Sequence, residues 1–149
     1  MLSLREQLGA GEKRDRLIED GLKVLDDEVA DKGGISGLAV KGAYKVVKSI
    51  KPGFLKEVVD HLLDDFLESL NPIYQEAAEQ KKLASRHLVD NSGRAADALL
   101  AVTDKRAAKA QRAVIKSTYE KLRPMAKKQV EAAAPRMGQL LDRHAAPTS

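Results

Sequence analysis

A chain of 149 residues with 43% apolar and 32% charged residues, no cysteine and no tryptophan is long enough to bury a core without metal or disulfides. Its net charge of +4 divides unevenly: residues 1–75 carry 11 Lys and Arg against 14 Asp and Glu, residues 76–149 carry 15 against 8, and alanine rises from 4 to 17 across the same boundary. No apolar run approaches the roughly 18 residues of a membrane span, Arg5 and Glu6 interrupt any secretion-signal core, and Cys–His catalysis is excluded; a cytoplasmic protein is expected.

Apolar residues recur at helical spacing throughout and nowhere alternate as in a strand, so the expected fold is all-α, a bundle of about five to seven helices forming one domain over residues 1–149. Within it, 1–75 reads as an acidic, core-rich part and 76–149 as a basic, Ala-rich part. Ser3 and Glu6 have the spacing of a capping box for a short first helix that Gly9 and Gly11 end. A second helix follows from about Glu12 to Asp31, carrying Ile18, Leu22, Leu25 and Val29 on one row and stopping at Gly33-Gly34. The third is expected to start at Ser36 as N-cap, with Ile35 and Val40 as a staple, and to reach Ile50.

Pro52-Gly53 turns the chain into a fourth helix, from about Phe54 to Leu70, with the clearest amphipathic pattern. Its stripe, Leu55, Val58, Val59, Leu62, Leu63, Phe66, Leu67 and Leu70, spans about half the circumference and marks it as the central element. Asn71-Pro72 reads as the start of a fifth helix reaching about Val89, and Asp90 to Gly93 as a turn. Nothing breaks the pattern from Arg94 to Arg123, which predicts one helix of about 45 Å. Pro124 and Pro135 then kink or restart this Ala/Lys/Arg-rich C-terminal helix, and the tail HAAPTS is expected to fray.

Three charged constellations are candidate sites. The polar face of the fourth helix gathers Glu57, Asp60, His61, Asp64, Asp65 and Glu68, and Glu57, His61, Asp64 and Asp65 are its candidate metal ligands. Glu57 and His61 are four apart, no second helix repeats the set, and His-Glu-x-x-His is absent, so a solvated face is the favoured reading and no cofactor is expected. A basic row, Arg94, Lys105, Lys109, Arg112, Lys116 and Arg123, lies within about 60° on the long helix and could meet a polyanion. The favoured reading is again structural: a solvated face, or neutralisation of acidic helix four in the same or a second subunit. Beside it, Leu99, Val102, Thr103, Ala110, Val114 and Ser117 form a thin seam that needs a partner, either the rest of the chain or another copy.

On the third helix Lys41, Lys45 and Lys48 stand opposite Ile35, Ala39, Ala43, Val46 and Ile50. The small residues there suit helix packing, and the absence of Trp or Phe anchors speaks against a membrane surface, so packing is expected. No phosphate-loop or G-x-S-x-G motif occurs. The function expected from these residues is a non-enzymatic helical interaction or scaffold protein that self-associates as a homo-oligomer or with a helical partner. The alternative is an anion-surface binder for nucleic acid or acidic membrane, and a metal-dependent enzyme built on His61 ranks third.

Residues 31–75, DKGGISGLAVKGAYKVVKSIKPGFLKEVVDHLLDDFLESLNPIYQ, resemble a family of small bacterial proteins of uncharacterised function sharing a KGG-SG-K-Y-VK-KPGF pattern. The resemblance implies a bacterial, cytoplasmic, helical protein and carries over no activity, cofactor or catalytic residue.

Overall fold

In the computed structural model, which describes all 149 residues, the chain forms seven α-helices and no strand. They are α1 (Leu4–Leu8), α2 (Gly11–Ala30), α3 (Gly34–Ser49), α4 (Phe54–Glu79), α5 (Ala84–Asp90), α6 (Ser92–Ala108) and α7 (Ala113–His144). The capping box forms as read: Ser3 Oγ accepts from the Glu6 amide at 3.1 Å while the Glu6 carboxylate accepts from the Ser3 amide at 3.0 Å. Leu4 and Leu8 are thereby held fully buried against α4.

The fourth helix does not end at Leu70. It runs to Glu79 through Pro72, because the buried row Leu63, Leu67, Leu70, Ile73, Tyr74 and Ala77 keeps its three- and four-residue spacing across the proline, which faces solvent. Asn71 caps a helix other than the expected one: its Oδ1 accepts from the Leu4 amide at 3.0 Å, at the start of α1. The true stop follows Glu79. Lys81 takes a left-handed conformation (φ 54°), and the amides of Lys81 and Lys82 donate back to Ala78 and Ala77 at 3.2 and 2.9 Å, a Schellman closure without glycine. The short helix α5 then starts with the Ser85 amide bonded to Asp142 of α7 at 3.1 Å.

The expected 30-residue helix from Arg94 is two helices. The chain turns between Ala108 and Ala113, and α7 folds back along α6. Folding back joins Tyr119 to Thr103 and Asp104, Arg123 to both Asp104 oxygens (2.8 and 3.1 Å) and Lys127 to Asp97 (3.1 Å). Ala95, Ala96, Leu99 and Leu100 are buried; of the thin seam, Leu99 is buried, Val102, Thr103 and Ala110 are half-buried, and Val114 and Ser117 stay exposed. The helix α7 continues through Pro124 and Pro135, neither of which restarts it.

The tail is packed rather than frayed. Tyr74, 1% exposed, donates its hydroxyl to the Ala146 carbonyl at 2.7 Å; Gln7 accepts from the Ala146 amide at 2.7 Å, and Thr148 is buried against Lys82. One core cluster draws on α1, α2, α4, α5, α6 and α7, with Leu67, Leu70, Ile73 and Tyr74 of α4 at its centre; Leu62 and Phe66 are only partly buried. Gly138 lets α5 and α7 approach, since a Cβ there would stand 2.7 Å from Ser85 Cα. The helix α3 gives the core cluster nothing.

Candidate functional site

The acidic face of α4 is tied up by cations from other elements. Arg14 of α2, mostly buried, reaches Asp60 (3.1 Å) and Asp64 (2.7 Å); Arg5 of α1 pairs with Glu68 and lies 3.6 Å from Asp64. Arg106 of α6 meets Asp65 at 3.3 Å, and Lys51 meets Glu57 at 3.0 Å. His61 is exposed and donates from Nδ1 to the Glu57 carbonyl at 2.7 Å. The candidate ligands Glu57, His61, Asp64 and Asp65 do not converge, and nowhere do three such groups come together. Neutralisation of helix four thus falls to Arg5, Arg14, Arg106 and Lys51, not to the basic row expected for it.

That row does not exist as a line, because the turn after Ala108 splits it between two helices. Arg94 makes a two-pronged contact with Glu76, its Nη1 lying 2.8 Å from Oε1, and Arg123 pairs with Asp104. Arg112 lies over the Phe54 ring, 5.5 Å from its centre. Lys105, Lys109 and Lys116 remain without a carboxylate partner near the tip of the α6–α7 hairpin. Glu76 also accepts from buried His87 at 3.1 Å; these contacts, Arg94 first and His87 second, hold its carboxyl down at about 2. Asp20 is likewise held below the usual carboxylate range by Arg143 and His144, and Asp104 by Arg123 and Tyr119. These are closed polar networks tying helices together.

The third helix departs furthest from expectation. It begins at Gly34 with Gly33 as N-cap, not at Ser36, and Ile35 makes no staple because it is 90% exposed. Its inner face is Gly37, Val40, Tyr44 and Val47; of the five residues expected to pack, Ala43 and Ile50 are half-buried while Ile35, Ala39 and Val46 face outward together with Leu38 and Gly42. Packing thus centres on a neighbouring face: Gly37 is buried against the Lys32 backbone, where a Cβ would come within 2.7 Å. Tyr44 bonds Asp26 of α2, and Lys48 pairs with Asp26 at 3.3 Å while lying over the Tyr44 ring. The outward apolar residues form an arc of about 100°, and Lys41, Lys45 and Lys48 occupy the adjoining arc of about 60°. An open groove between α2 and α3, about 710 Å³, is lined by these lysines with Asp26, Tyr44 and Ser49. Sequence reasoning found the lysine wedge but missed Leu38, 70% exposed. The available signal was that α3 carries more aliphatic residues than a single buried stripe uses.

These features define an all-α helical-bundle protein in which one helix, α3, lies outside the core cluster and leaves Ile35, Leu38 and Val46 in solvent. The chain belongs to the DUF6918 family, a family of unknown function matched over residues 4–145. No curated protein and no solved structure matches it. No helix is long and apolar enough to cross a membrane.

Proposed function

We propose that the protein is a non-enzymatic docking protein whose working surface is the outward face of α3. One observation carries this reading: Ile35, Leu38 and Val46 stand 90, 70 and 41% exposed along one side of a helix that contributes nothing to the core cluster. Contiguous apolar surface rimmed by polar groups marks interaction sites, because leaving it in water opposes solubility without helping the fold.

A second copy of the chain is the second reading for the occupant, favoured by Ala39 and Gly42 on the same face, where small residues let two helices approach closely. The test is Leu38→Glu combined with Val46→Glu. Both side chains lie outside the core, so the melting temperature should hold. Sedimentation should show a multimer in the wild type that the variant loses, or an apolar-surface dye should bind the wild type and not the variant. If neither measurement separates the two proteins, α3 is not a docking surface.

A further inference from the structure

Resting on that reading of α3, we infer that the occupant is an anionic lipid surface, against which α3 lies in the plane of the headgroups. The argument is charge complementarity joined to the geometry of the apolar arc. The helix α3 has no Asp or Glu in its 16 residues, while Lys41, Lys45 and Lys48 lie along it and Lys51 follows immediately. Lys48 and Lys51 are engaged by Asp26 and Glu57; Lys41 and Lys45 have no carboxylate partner and stand exposed on the wall of the α2–α3 groove. Asp26, the acidic group lining that groove, is already satisfied by Tyr44 and Lys48, which leaves the two free ammonium groups for an external anion.

The two arcs adjoin, so a surface that takes the lysines receives the aliphatic side chains beside them. Lys45 neighbours Leu38 on the wheel, and Ile35, Gly42 and Val46 continue the apolar side. A lipid interface offers both environments in that order: phosphates at headgroup depth and acyl chain just beneath. A second copy offers the apolar complement but not the anionic one. In an antiparallel two-fold pairing through α3 the lysine edges of the two copies fall on the same side, and in a parallel one each lysine edge meets a helix without a carboxylate. A nucleic acid would satisfy the lysines and leave Ile35, Leu38 and Val46 in water.

The experiment is flotation of the full chain with vesicles of phosphatidylcholine alone and of phosphatidylcholine mixed with phosphatidylglycerol, with duplex DNA in parallel. Binding to the anionic vesicles is expected, absent with the neutral ones and weakened at raised salt. Lys41→Glu with Lys45→Glu should reduce it by about tenfold or more. Leu38→Glu should reduce it comparably, with unchanged melting temperatures. Absence of vesicle binding alongside a multimer that Leu38→Glu dissociates would overturn the lipid assignment while leaving α3 a docking face. DNA binding that the lysine reversals abolish and Leu38→Glu leaves intact would also overturn it. If Leu38→Glu alters neither mass, dye binding nor vesicle binding, the docking reading falls as well.

Discussion

Glu76 joins three elements through one carboxylate, which takes Arg94 of α6 on both oxygens and His87 of α5 on one. Those partners lower its pKa from the ordinary 4.5 to about 2, so the folded state holds the proton less readily than the unfolded chain does. Its contribution to stability is therefore complete above about pH 4.5 and disappears as the pH falls toward about 2. Glu76→Gln should melt below the wild type at neutral pH, and the gap between the two melting temperatures should close across that window. A gap of constant size down to pH 2 would show that the carboxylate's charge is irrelevant to folding. Such pairings lie outside what periodicity reports: Glu76 with Arg94 and Arg14 with Asp64 are 18 and 50 residues apart, and only the packed helices bring them together.

At the scale of elements, the sequence was legible where local chemistry and burial agree. The capping box at Ser3 and the wide stripe of α4 each have one physical solution, and the fold adopts it, whereas the double glycine expected to stop α2 opens α3 instead, α2 ending earlier with Asp31 as its C-cap. It was illegible where tertiary packing overrode the local signal. Asn71-Pro72 has the chemistry of a helix start, yet the buried row carries α4 across it and Asn71 serves α1 instead. The stretch after Ala108 contains no helix breaker, and the turn forms because α7 gains ion pairs and apolar cover by lying back on α6. After Glu79 the left-handed position is filled by Lys81 instead of glycine, so the stop has no signature. A residue with a Cβ pays roughly 1 kcal/mol or more there. Lys81→Gly is expected to stabilise the protein by about that amount, raising the melting temperature by about 2 to 4 °C in thermal denaturation. A fall would mean that the Lys81 side chain contributes more than its backbone strain removes. The lysine wedge of α3 was readable, but its apolar residues surround the helix, with Val40, Tyr44 and Val47 on one side and Ile35, Leu38 and Val46 on the other. Spacing alone could not choose the inward face.

Across the whole molecule, long-range ties are unevenly spread. The residues after α7 are clamped to α1 and α4 through Gln7 and Tyr74, and six helices share one apolar cluster. The helix α3 is attached through its inner face, the Tyr44–Asp26 bond and the Lys48 pair, all near the surface. Amide hydrogens exchange with solvent through whichever opening needs least free energy, and that energy follows the apolar area uncovered. Backbone amides in α3 should therefore exchange by a local release that leaves the remaining six helices protected, while amides around Leu67 to Tyr74 await global unfolding. Native-state exchange under mild denaturant would read this directly, and α3 amides that exchange in step with those of α4 would contradict it. A helix that can come away without dissolving its neighbours gives the protein a hinge-like segment, able to change its tilt against whatever it touches while the rest of the fold keeps its shape.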